Sequence, residues 1–166
     1  MTKIILNQRE PGMNPNSDEL ARVILERIGL NPRKSGATDK MHRTLLELYE
    51  RSKEAAKEKD PKKSVMTVEE MGYFAGISRQ TMYDYLKRWL DLNLITKTSF
   101  IDNQKVVIGY KLNGNTLETA FEKSMVHIKN NMELTLKYIG ELQKIIKNEK
   151  ISQHQQGRKF EEEIMG

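Results

Sequence analysis

The chain has 166 residues, 37% hydrophobic and 31% charged, with a net charge of +5 and no cysteine. This allows one domain with extensions, is polar for a compact globule yet too apolar for full disorder, and suits a polyanionic partner. It excludes disulfides, thiolate metal sites and thiol catalysis. No run approaches the ~20 apolar residues needed to span a bilayer, and the apolar stretch within residues 1–8 is too short for a secretory signal, so a soluble cytoplasmic protein is expected.

Residues 1–16, with Pro11, Gly12 and Pro15, read as an irregular arm whose apolar Ile4, Ile5 and Leu6 are suited to docking. Ser17 has the character of an N-cap, with Asp18 and Glu19 in the first turn where the helix dipole favours acids. A helix over 18–28 follows, with Leu20, Val23, Ile24 and Ile28 as its apolar stripe. Gly29 stands where a left-handed residue ends a helix, and Asn31-Pro32 prevents its continuation. A basic loop, 31–37, carries Arg33, Lys34 and Gly36. Thr38 then caps a second helix that runs to about residue 59 and stops before Asp60-Pro61. Met41, Leu45, Leu48 and Ala55 form its inner face. The segment 31–66 holds ten basic and six acidic side chains, most of them a solvated, i,i+4-paired face.

Thr67-Val-Glu-Glu70 is a capping box that opens a short helix, 68–75. Gly76 breaks it, Ile77 fills the turn and Ser78 caps the next helix, about 78–93, whose inner face is Met82, Tyr85, Leu86, Trp89 and Leu90. Gly72 permits a close approach of the two helices. Two alternating runs, 96–101 and 105–112, flank Asp102-Asn103-Gln104 and predict a β-hairpin. The proline-free pattern 116–150 predicts one long helix. Phe121, Met125, Ile128, Met132, Thr135, Ile139, Leu142 and Ile146 recur at alternating spacings of four and three, a heptad seam. The same helix of a second copy is its expected partner, with Phe121, Met125, Ile128, Met132, Ile139, Leu142 and Ile146 as dimerisation residues. The polar remainder, 151–166, is expected to be a flexible tail.

Two helices joined by a short glycine-containing turn, the second beginning with polar residues, have the arrangement of a helix-turn-helix. The words Thr-Val-Glu-Glu-Met-Gly-Tyr-Phe-Ala-Gly-Ile-Ser-Arg-Gln-Thr-Met-Tyr-Asp-Tyr-Leu (67–86), Leu-Asn-Leu-Ile (92–95) and the hairpin after them resemble a winged helix-turn-helix DNA-binding domain of archaeal and bacterial transcription regulators. The resemblance covers residues 67–112, and helix 39–59 would be the first helix of that domain. The expected fold class is mainly α with a small β-hairpin: an arm with a short helix (1–37), a winged helix-turn-helix domain (38–115), a long coiled-coil-like dimerisation helix (116–150) and the tail. The resemblance implies that helix 78–93 enters the major groove and that hairpin 96–112 is the wing. Arg79, Gln80, Tyr83, Asp84 and Lys87 are then the base-reading candidates, since Arg and Gln pair bidentately with guanine and adenine edges. Ser78, Thr81, Arg88, Lys97 and Lys105 are the phosphate candidates. The wing is only moderately basic, with Lys97 and Lys105 offset by Asp102, so strong insertion into the minor groove is not expected.

His42, His127 and His154 have no neighbour at metal-ligand spacing and are expected at the surface. No Walker loop, dinucleotide-binding glycine pattern or nucleophile elbow occurs, and the acidic pairs read as caps or solvated tail. The chain is therefore expected to be no enzyme, to need no cofactor or metal, and to show no evident small-molecule ligand. Its expected function is that of a homodimeric, sequence-specific regulator binding double-stranded DNA in the nucleoid. The rival is a winged-helix protein–protein module in a transcription or replication assembly.

Overall fold

The computed structural model describes residues 3–31 and 40–165. The chain is mainly helical, with one antiparallel two-stranded hairpin and a long C-terminal helix. The expected basic loop residues Arg33 and Lys34, Gly36 and the Thr38 cap lie outside the described residues. The chain divides into two units, Met1–His127 and Ile128–Gly166.

In the first unit, α1 (Ser17–Arg27) is capped by Asn16, not by Ser17. Asn16 has the extended backbone a cap requires, and its side chain accepts from the Glu19 amide at 2.8 Å. Gly29 adopts φ +71° as expected, and the Leu30 amide returns to the Leu25 carbonyl at 2.8 Å. The arm is tied down at this end: Asn7 donates from its amide to Arg27 O at 2.9 Å and from its side chain to Glu26 O at 2.7 Å. The buried residues of α1 are Ala21, Val23 and Leu25, whereas Leu20 is exposed. Of the expected stripe, Val23 and Ile28 are buried and Ile24 is half-buried; Leu20 departs from it, because a short run of apolar residues on nearly every side of a helix does not say how far a neighbour will cover it.

The second helix, α2 (Met41–Glu58), ends at Lys59 in a left-handed conformation and is followed by a 3₁₀ turn, Pro61–Ser64. Met41, Leu45 and Leu48 are buried as expected. His42 is buried as well, which corrects the expectation of a surface histidine. Arg22 Nε donates to His42 Nδ1 at 3.4 Å, and Asp18 Oδ1 lies 3.8 Å from His42 Nε2. Burial, then the Arg22 charge, hold this imidazole below its ordinary value against the pull of Asp18, with Arg43 and Lys40 acting in the same sense as Arg22.

Thr67 caps α3 (Val68–Ala75) in the capping box read from the sequence, with both reciprocal bonds at 3.2 Å. Arg51 of α2 reaches into this cap. It meets Glu70 Oε2 at 2.6 Å and Glu47 Oε1 at 3.0 Å, and donates to the Val65 carbonyl at 3.0 Å. Burial alone would raise the Glu70 carboxyl, but bonds from Arg51 and Thr67 outweigh it and hold it below its ordinary value. Gly76, at φ +70°, ends α3. A Cβ on Gly72 would lie 2.9 Å from the Ile77 carbonyl, so the close approach expected at Gly72 is to the turn backbone.

Ser78 caps α4 (Arg79–Asp91), whose Met82, Leu86 and Trp89 are buried. The hairpin pairs β1 (Ile95–Asp102) with β2 (Lys105–Leu112) from Ile95↔Leu112 to Asp102↔Lys105. Its loop is therefore two residues, Asn103 and Gln104, at φ 48° and 65°. Two positive φ values match the twist of the flanking strands, which is why the turn is one residue shorter than expected. Met66 exchanges two 2.8 Å backbone bonds with Tyr110. Gly109 makes this possible: a Cβ there would lie 2.3 Å from Val65 Cγ1 and 2.8 Å from Met66 O.

The last helix, α5 (Leu117–Met165), has 49 residues. Within the first unit Ala120 and Ser124 are buried. In the second unit every described residue from Lys129 to Met165 is exposed. The expected flexible tail is instead helical through Met165. Residues 151–165 contain no proline, and Gln, Glu, Lys and Arg propagate a helix well enough to carry it past Gly157.

Two measurements check this account. Gly109→Ala should lose about 1–3 kcal/mol of unfolding free energy by chemical denaturation, from overpacking against Val65 and Met66; an unchanged midpoint would contradict the close approach. His42 titrates lower in the folded chain than in the unfolded one, so its stabilising effect is complete above the unfolded value of about 6.5 and is lost as pH falls toward the folded one. The melting temperature should drop between pH 7 and pH 5, and His42→Gln should flatten that dependence.

Candidate nucleic-acid interface

The side chain of Ser78 accepts from the Thr81 amide at 3.2 Å, and its hydroxyl donates to Thr81 Oγ1 at 2.9 Å. Both expected phosphate ligands are thus first of all parts of the cap that starts α4. Both are exposed, and a free helix N-terminus with hydroxyls around it suits an anion.

Helical periodicity then separates two faces. Met82, Leu86 and Trp89 point inward, while Arg79, Gln80, Tyr83, Asp84 and Lys87 are all exposed along the other face of α4. The five base-reading candidates are therefore brought together. Arg79 is not a loose side chain. Its Nη1 lies 3.2 Å from Glu69 Oε1 on α3, its Nη2 donates to the Tyr83 hydroxyl at 3.3 Å, and its guanidinium carbon stands 5.7 Å from the Tyr83 ring centre. The Tyr83 bond first, then the Glu69 charge, raise Arg79 above its ordinary value, so it is a permanent cation. Arg88, a phosphate candidate, is half-buried and engaged within the chain.

The hairpin also sorts its residues by face. Directly paired residues share a face and neighbours alternate, so Lys97, Ser99, Ile101, Val106 and Ile108 lie on one side and Phe100, Asp102, Lys105 and Val107 on the other. The two wing lysines are thus on opposite faces. Lys105 shares its face with Phe100, over whose ring Lys62 Nζ stands at 5.8 Å. The other face leaves Ile101, Val106 and Ile108 exposed.

Sequence reasoning missed three features. Glu69 as partner of Arg79 depends on how α3 and α4 cross, which no local pattern encodes. Tyr73 projects from α3 with 83% of its surface exposed, having been one apolar residue among several. The exposed apolar face of the hairpin was visible in the alternation of Ile101, Val106 and Ile108, once that face is recognised as the uncovered one.

Of the expected dimerisation residues, Met125, Met132, Ile139, Leu142 and Ile146 are exposed. Phe121 is half-buried and Ile128 is buried. Among the described residues no group of His, Asp and Glu stands together as a metal site, and no helix is long and apolar enough to cross a membrane. An open groove of about 570 Å³ is lined in part by Ser52, Ala55, Lys59, Ser64 and Lys111; none of the α4 candidates contributes to it.

Comparison with protein-family models, curated proteins and solved structures finds no match for this chain.

Ser78→Ala should remove the cap of α4 and lower stability by about 1 kcal/mol. Unfolding monitored at Trp89, the only tryptophan, would report it. No loss would mean that α4 does not depend on this cap.

Proposed function

We propose that the chain is a homodimeric, sequence-specific regulator of transcription that binds double-stranded DNA in the cytoplasmic nucleoid. In this reading α2, α3, α4 and the hairpin make a winged helix-turn-helix, α4 lies in the major groove, and the exposed apolar stripe of the second unit joins two copies. The observation that carries it is the division of α4. Arg79, Gln80, Tyr83 and Asp84 at its N-terminal end face solvent, with Lys87 a turn further on, while a fully buried Trp89 fixes the opposite face. A helix entering the major groove presents its N-terminal residues to the base edges, and Arg79 and Gln80 have the donor patterns that read guanine and adenine. Nothing in this reading calls for a cofactor or for catalysis.

A second reading is favoured by one specific observation. Ile101 and Val106 are 67% and 69% exposed at the tip of the hairpin, and an uncovered β-branched surface suits a protein partner better than a phosphate backbone. On that reading the domain is an interaction module of a larger transcription or replication assembly.

Selecting duplexes from a random pool and measuring binding over a range of salt separates the two. For the regulator, Gln80→Ala should weaken the selected duplex by roughly 10- to 100-fold and relax one base position. Lys97→Ala should weaken all duplexes alike and reduce the salt slope by about 0.9. A chain that remains monomeric in light scattering and ignores DNA at low salt would leave the interaction module standing.

A further inference from the structure

One carboxylate beside the candidate reading surface makes a contact that neither the fold nor the base contacts require. Glu69 is in the first turn of α3, where it is not needed for the cap: Thr67 and Glu70 already close the capping box. It is 58% exposed and faces a guanidinium on another helix, Arg79, which is 62% exposed. Together with the Tyr83 hydroxyl and ring, it gives a long, otherwise mobile side chain three contacts on the outward face of α4. An exposed pair of this kind contributes little to folding, so a stability role does not explain it.

We propose that Glu69 is a specificity-determining residue, whose carboxylate keeps the Arg79 guanidinium from pairing indiscriminately with phosphates while leaving it able to read a base edge. This rests on the DNA-binding function proposed above. Guanidinium has five N–H donors in a planar fork. Glu69 and Tyr83 occupy one each, and the remainder can meet the O6 and N7 acceptors of guanine with the Glu69 pair intact. A phosphate oxygen offers the same chemistry as the Glu69 carboxylate. Bound at the remaining donors it brings a second negative charge against the Glu69 carboxylate, and in Glu69's place it leaves an unpaired carboxylate beside a polyanion, whereas the guanine edge is neutral. Random contacts are disfavoured and a guanine contact is not. Tyr83 is then a positioning residue that limits where the guanidinium can swing.

The test is a double-mutant cycle on the full chain: wild type, Glu69→Gln, Arg79→Ala and the double variant, with Glu69→Asp as the conservative control. Each is titrated, at several salt concentrations, against a duplex that the wild type selects from a random pool and against a random-sequence duplex. Circular dichroism confirms that the folds are equal. Glu69→Gln should tighten binding to the random duplex roughly fivefold and steepen its salt slope by about 0.9, the signature of one more neutralised phosphate. The ratio of selected to random affinity should fall by a similar factor, Glu69→Asp should lie between, and the gain should be largely absent when Arg79 is already alanine. An unchanged ratio in Glu69→Gln overturns the proposal. So does an equal gain with and without Arg79, which would mean that Glu69 acts through its own charge alone. A wild type that prefers no duplex over the random one fails earlier, and the regulator reading falls with it; a selective wild type with an unaltered ratio removes only the role of Glu69.

Discussion

Trp89 is enclosed on all sides, and its indole N–H donates to the carbonyl of Leu30 at 3.2 Å, fifty-nine positions earlier in the chain. Few single contacts constrain so much. The indole is the largest buried side chain, it needs a partner for its one donor, and the partner it finds lies just beyond the end of α1. Rotating α4 about its own axis would expose the ring and strand the N–H. The rotational setting of α4 is thereby fixed, and with it the direction in which Arg79, Gln80, Tyr83 and Lys87 point. Whatever α4 touches, it presents that face because the other one is committed.

A second constraint joins other elements of the fold. Arg51 joins α2 to the capping box of α3 and to the carbonyl of Val65, one residue before Met66 pairs with Tyr110. The helix, the cap and the base of the hairpin thus meet at one guanidinium. Half-buried, with two carboxylates around it, this group is paired well enough to meet the cost of its desolvation. It also explains why a capping box, commonly a local device, here has a long-range partner: the Glu70 carboxylate that serves the cap is the one that receives Arg51.

What was legible in the sequence was mostly local backbone chemistry. The Thr67–Glu70 box, the left-handed Gly29 and Gly76, the Ser78 cap and the strand alternation each depend on residues within a turn or two, so a sequence window contains the whole cause. The failures share the opposite property. The exposure of Leu20, the burial of His42 and the pairing of Glu69 with Arg79 are decided by where a distant helix arrives. The hairpin turn proved to be two residues rather than three, and since one residue of register inverts a strand, the faces that Lys97 and Lys105 take depend on it. The helix through 151–165 was missed for a different reason: polarity was taken for disorder, although its residues are good helix formers.

The second unit sets a limit on how two copies could associate. Its exposed heptad positions run from Met132 through Thr135, Ile139 and Leu142 to Ile146. The next ones are Glu149, Gln153 and Gln156, which would place polar groups in a seam. An apolar seam of about two heptads, with a threonine among its contacts, is short for a self-sufficient coiled coil. Leu136, Tyr138 and Ile145 widen the stripe on both flanks and add apolar area that a narrow a/d seam leaves unused. Pairing through such a surface would be of moderate strength and sensitive to concentration. Under the proposed function that property has a consequence, because two reading helices on adjacent half-sites hold their C-terminal helices at high effective concentration. Duplex and helix pairing then reinforce one another by linkage: the DNA favours the dimer by the same factor as the dimer favours the DNA. A modest net charge is compatible with such a scheme, since two linked weak contacts replace the single strong electrostatic one that a more basic chain would use.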